Sequence, residues 1–289
     1  MSILSKIQAL ITAANATTGE SDTTLTDAIQ TLVDGYGQGG ASISDGIVVK
    51  ARDANGYATE IDIYVENGIV STSLFQSGNT NSKTITHGFS KLQKINFKTP
   101  VISIGAYAFN WLNALSEIDL DFSALTTVHD YSFQGCPINV AVRVPNGASF
   151  APNAFNDSGI ISFYTEVASV GNNQCQRCKN LRIFEAPKAT RFGSYTSTIL
   201  SSCTSLESVL LGGVGYGITA WGTGNFSRCT QTGLTVTAYT NGSHVDGLLS
   251  NIRTGATNAT IIIKASEQTE YNGVTYAAGD TILTSEVTV

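Results

Sequence analysis

Between residues 92 and 233 the apolar positions gather in short clusters that return every 20 to 26 residues. Each unit opens with a strand-like pattern, as in Leu92-Gln93-Lys94-Ile95-Asn96-Phe97, Leu115-Ser116-Glu117-Ile118-Asp119-Leu120 and Leu206-Glu207-Ser208-Val209-Leu210-Leu211. Alternation at the end of the pattern sends one apolar set to a single side of the strand. A second cluster follows, anchored on Phe109, Phe133, Phe155, Cys175, Leu200 and Phe226. Five residues before the first four anchors stand Ile104, Val128, Phe150 and Val170; in the last two units Phe192 and Ile218 stand eight before, which predicts an insertion in one loop. The residue after the anchor is polar in all six units (Asn110, Gln134, Asn156, Gln176, Ser201, Ser227), predicting a solvated face. Three after the anchor come Leu112, Cys136, Ser158, Cys178, Cys203 and Cys229, small or apolar throughout, predicting an inward column. One such unit cannot bury its apolar row alone, so the units must stack on a shared core.

The ends follow other periods. Residues 1–36 read as two short helices, Ser2 capping a face of Ile3, Leu4, Ile7, Leu10 and Ile11, and Asp22 or Thr24 capping one of Leu25, Ala28, Ile29, Leu32 and Val33. The glycines of 35–40 end the second helix and form a joint, setting off residues 1–40 as a helical anchoring module. Within 41–91, strand patterns at 47–51 and 58–65 around Asp53-Ala54-Asn55-Gly56 predict a hairpin that caps the repeats. Residues 234–289 predict a β-rich cap: strands at 234–239 and 260–265, a helix at 244–252 and a hairpin at 271–276, covering the edge of the last repeat.

The unit Leu-x-x-Ile-x-Leu followed by Ile104-Gly105-Ala106-Tyr107-Ala108-Phe109 and, in later copies, Cys three after the anchor resembles the BspA-type bacterial leucine-rich repeat over residues 92–233. The resemblance implies a curved β-rich α/β solenoid, displayed on cell surfaces or carried by phage tails, with adhesion as its role. The stretch of 7–37 resembles the start of tail-associated proteins from phages of gut Firmicutes, which implies attachment of residues 1–36 to phage tail or baseplate proteins. Two helices this short are marginal alone, so packing on such a partner or within a homo-oligomer is expected. The partner at the other end would be a bacterial surface glycan or protein.

Composition narrows the function. Charged residues make up 13% of the chain, about half the usual share, so neutral polar groups solvate the surface. A net charge of -6 with no basic run gives no footprint for nucleic acid. No apolar stretch is long enough for membrane insertion, and the polar start Met1-Ser2-Ile3-Leu4-Ser5-Lys6 does not read as a signal peptide; the resemblance implies a virion or an extracellular surface as the location. Five cysteines are an odd number and too sparse for a disulfide scaffold.

Candidate chemistry is thin. Cys175-Gln176-Arg177-Cys178 has zinc-ligand spacing, yet the repeat itself demands residues at 175 and 178, and no second pair completes a site. His87, His129 and His244 lie on different elements without a paired nucleophile. Glu117, Asp119 and Asp121 are the carboxylates to weigh for glycan cleavage, but they also fit a solvated strand side. No catalytic residue, metal or cofactor is therefore expected. Binding is the better use of stacked turns. Tyr107, Tyr131, Asn153 and Asn173 form one column two residues before the anchor, Trp111 lies beside it, and Tyr195, Tyr216 and Trp221 fall in the inserted loops. Tyr107, Trp111, Tyr131, Asn153, Asn173, Tyr195 and Trp221 are the candidate ligand-binding residues, because aromatic rings stack on sugars and amides hydrogen-bond them.

Overall fold

The computed structural model describes residues 46–75, 85, 88–194 and 196–285. The helices expected within 1–36 lie outside this set. Strand β1 (Gly46–Arg52) pairs antiparallel with β2 (Ala58–Tyr64), as the predicted hairpin requires. From β2 onward the chain coils, each turn contributing one longer strand and one two-residue strand. After β2 comes β3 (Ile69–Val70), then β4 (Lys94–Phe97) with β5 (Ser103–Ile104), β6 (Glu117–Asp119) with β7 (Thr127–Val128), and β8 (Ala141–Val144) with β9 (Ser149–Phe150). Further turns hold β10 (Ser162–Thr165) with β11 (Ser169–Val170), β12 (Ile183–Ala186) with β13 (Arg191–Phe192), and β14 (Ser208–Leu211) with β15 (Ala220–Trp221). The result is a leucine-rich-repeat β-solenoid of about seven turns.

The C-terminal part does not break this pattern. β16 (Thr235–Thr240) and β17 (Thr260–Ala265) extend the same parallel ladder, bridged by helix α1 (Val245–Gly255) in place of a short strand. A small hairpin, β18 (Thr269–Tyr271) with β19 (Val274–Tyr276), precedes β20 (Thr281–Ser285), which closes the edge antiparallel to β17. Among the described residues α1 is the one α-helix, so the expected α/β class reduces to a β-solenoid. The reason is length: the second half of each turn has only a few residues to return through, enough for tight turns and not for a helix.

The longer strands alternate exposed and buried, as Ala141-Val142-Arg143-Val144 does, and so feed one apolar row per turn into the core. Phe109 and Phe133 stack at 5.1 Å, and Phe133 and Phe155 at 5.3 Å with rings 2° from parallel. Beyond Phe155 the anchors shrink to Cys175 and Leu200, and the aromatic volume moves to the strands: Phe155, Phe163, Phe184, Phe192 and Phe226 continue the ring contacts at 5.4 to 5.9 Å. Each fully buried ring contributes about 2–3 kcal/mol of apolar burial, so this spine dominates the cohesion between turns. At the other end Phe75 meets Phe109 at 6.0 Å. It is an anchor like the rest, with Val70 five residues before it, and makes residues 58–75 the first turn.

The column after the anchor departs from expectation. Instead of a solvated face, Asn110, Asn156 and Ser201 are buried. Between turns Asn156 Nδ2 donates to Gln176 Oε1 at 3.3 Å, and Gln176 Nε2 to Thr198 Oγ1 at 2.8 Å. At these turns the polar residue satisfies its neighbours. The inward column three after the anchor is as expected, and the thiols do more than fill space. Cys136, Cys178, Cys203 and Cys229 each donate a hydrogen bond to the anchor carbonyl of the preceding turn, at 2.7 to 3.0 Å.

Candidate binding surface

The Tyr/Asn column lies where the backbone is left-handed: φ is 58° at Tyr107, 57° at Tyr131, 61° at Asn153 and 53° at Asn173. Trp111, at φ 59°, heads a second such column that continues through Gly135, Asp157 and Arg177. These alternating left-handed residues aim N–H groups along the stack, so that Tyr107, Phe109 and Trp111 all donate to carbonyls of the following turn. Asparagine tolerates this conformation better than most residues, so its presence in the column follows from the backbone. The side chains then diverge. Tyr107 and Tyr131 stack at 5.1 Å, both half-buried, and burial pushes the Tyr107 hydroxyl above its ordinary pKa. The Asn173 side chain turns inward to accept from the Thr198 N–H and hydroxyl, at 3.1 and 2.6 Å.

The two tryptophans are placed apart. The Trp111 indole lies on Gly135, where an added Cβ would come within 2.4 Å of the ring, so glycine is required there. Trp221 packs against Gly247 of α1 and meets His244 edge-on at 6.0 Å, closing the C-terminal turns. Tyr195 lies outside the described residues. Of the seven expected site residues, Tyr107, Tyr131 and Trp111 thus share one edge of the solenoid, Asn153 and Asn173 continue its backbone, and Trp221 stands elsewhere.

A different group of residues assembles at the C-terminal ends of the longer strands. Parallel registry puts Arg143, Tyr164 and Glu185 in one outward row. The Arg143 guanidinium sits 4.2 Å from the centre of the Tyr164 ring, and the Tyr164 hydroxyl donates to Glu166 Oε1 at 2.7 Å. Lys188 Nζ donates to Glu166 Oε2 at 2.8 Å. The Lys188 ammonium, followed by the Tyr164 hydroxyl, holds the Glu166 carboxyl below the usual carboxylate range; Glu166 in turn raises the Lys188 pKa, with a smaller effect from Tyr216. Tyr216 is 43% exposed on the loop after β14. Further along the edge, Lys264 lies 5.6 Å over the Tyr239 ring. On a chain so poor in charge, this stripe is a concentration of fixed charges beside aromatic faces. Sequence columns missed it because Glu166, Lys188 and Tyr216 follow strands by loops of unequal length; an aromatic at the outward strand position, Tyr164, was the available signal.

The residues weighed for chemistry do other work. Asp121 accepts from the Ser123 N–H and hydroxyl at 2.9 and 2.6 Å, which lowers its pKa, while Glu117 is an exposed partner of Lys94. His244 Nδ1 meets both Ser243 Oγ at 3.0 Å and Asn241 Oδ1 at 2.6 Å. Both contacts fall on Nδ1 and come from residues one and three positions earlier in the chain. His129 is exposed, and His87 lies outside the described residues. All five cysteines are free and buried, and among the described residues no group of His, Cys, Asp and Glu is arranged to hold a metal. No described helix is long and apolar enough to cross a membrane.

Against this geometry the comparisons are direct. The profile of the BspA type leucine-rich repeat region matches in six copies across residues 78–207 and 146–241, more than half of the chain. The chain belongs to the BspA-type leucine-rich repeat family. Its fold is similar to that of a leucine-rich repeat protein from Bacteroides ovatus, at 14% identity and TM-score 0.42, over 70% of this chain and 66% of that one. It is also similar to the T. pallidum leucine-rich repeat protein, at 14% identity and TM-score 0.35, over 62% of this chain and 89% of that one. No curated protein matches the sequence. Leucine-rich repeat proteins are typically binding or interaction modules.

Proposed function

We propose that this chain is a recognition protein without turnover, presenting the stripe of Arg143, Tyr164, Glu166, Lys188 and Tyr216 to a glycan or protein of a bacterial surface. It acts as an adhesin on a phage tail or a cell surface, and residues 1–36 attach it to its assembly. The observation that carries the reading is the ion-paired Lys188–Glu166 beside the exposed Tyr216 ring. Hydroxyl groups of a ligand find charged hydrogen-bond partners there, and a ring face finds an aromatic platform. Pull-down on cell walls of a panel of gut Firmicutes tests it. The full chain is expected to be retained on at least one, and Tyr216→Ala with Lys188→Ala to lose about tenfold in affinity or more. Unchanged retention by the double variant contradicts the assignment, and new reducing ends in the same incubation contradict recognition without turnover.

A further inference from the structure

Among the described residues, the ladder of short strands opens between β9 and β11. At other steps the N–H groups flanking a short strand donate to the turn before: Ser149 to Thr126 and Ala151 to Val128, Arg191 to Ala168 and Gly193 to Val170. The step from β9 to β11 would need the Ser169 and Gly171 N–H groups on the carbonyls of Ala148 and Phe150, and neither bond is made. The turns part around a cavity of about 230 Å³ lined by Ala148, Phe150, Thr165, Val167, Ser169 and Gln174 among others. Gln174 is only 3% exposed. Its side-chain amide has no hydrogen-bond partner among the described residues, and its Oε1 lies beside Gly171. Here the Gln174 amide and four backbone groups, of exposed Ser169 and half-exposed Ala148, Phe150 and Gly171, open onto one place.

Their chemistry selects a ligand. No charged side chain lines the cavity, so a phosphate, carboxylate or ammonium group has no counter-charge. Ala148, Phe150 and Val167 supply apolar wall, the carbonyls of Ala148 and Phe150 supply acceptors, and Gln174 Nε2 with the Ser169 N–H group supplies donors. A secondary acetamide has the complementary set: one N–H, one C=O and one methyl. We propose that this cavity takes the acetamido group of an N-acetylated sugar, an inference that rests on the recognition reading and names its ligand class. The volume exceeds that of an acetamido group alone and admits part of the ring, whose hydroxyls meet the remaining groups. Thr165 and Val167 flank Glu166, so cavity and stripe share one corner of the solenoid.

Saturation-transfer NMR on the full chain with N-acetylglucosamine, glucose and N-acetyl-lysine tests the inference. N-acetylglucosamine is expected to bind, glucose about tenfold more weakly or not at all, and Gln174→Leu to lose about tenfold. Equal binding of the two sugars, or binding of neither, overturns the inference. Preference for N-acetyl-lysine assigns the cavity to an acylated protein side chain and overturns the sugar class. The wild-type comparison decides even if Gln174→Leu fails to fold. Cell-wall retention without N-acetylglucosamine binding sinks this inference alone; N-acetylglucosamine binding without retention sinks the recognition reading alone.

Discussion

At the scale of single residues, the thiol column ties stability to pH. Burial pushes the Cys136 thiol from its usual 9.0 up to about 12, and that of Cys229 up to about 11. Cys175 and Cys203 move in the same direction, again chiefly by burial. A folded-state pKa above the unfolded value means that the folded chain holds more protons between the two. The stabilisation is complete below about pH 9, where thiols of the unfolded chain are protonated too. It falls away as pH rises toward the folded values. The melting temperature is therefore expected to drop between about pH 9 and 11, and less steeply in Cys136→Ala. Thiol titration at pH 8 should find the five cysteines unreactive until urea unfolds the chain. Ready reaction of the folded protein would contradict the buried, hydrogen-bonded column.

At the scale of elements, the aromatic spine and the amide ladder divide the work of holding turns together. Phe155 touches Phe133, Phe122, Phe150 and Phe163, so its loss opens the core in several directions. Phe155→Ala is expected to cost about 3–5 kcal/mol in a urea titration; a cost under about 1 kcal/mol would mean that the stack is not what joins the turns. The period and inward columns were legible because packing repeats with the sequence, and the C-terminal strands and helix followed from their own alternation and amphipathic face. The first turn was not, since 34 residues separate Phe75 from Phe109 and hide the shared spacing from Val70. The column after the anchor was misread for a physical reason: a polar residue recurs equally where water solvates it and where its own copies hydrogen-bond it. Only the burial of Asn110 and Asn156 separates these cases. The proposed binding stripe needed strand registry, because its members belong to different positions of the repeat.

At the scale of the whole molecule, a solenoid contacts only its neighbours along the axis, so a ligand can engage several turns without entering a deep cleft. The stripe from Arg143 to Tyr216 crosses consecutive turns in this way. Its rigidity comes from the parallel ladder that runs from β8 to β17 and is closed by β20. In the proposed reading such a surface recognises by fixed geometry. The most direct test is hydrogen–deuterium exchange with and without a cell-wall digest that retains the protein. Slowed exchange is expected in residues 162–167, 185–190 and 212–217, with little change in the strands facing away. Protection confined to residues 46–75, with none at Tyr164, Lys188 or Tyr216, would contradict the account.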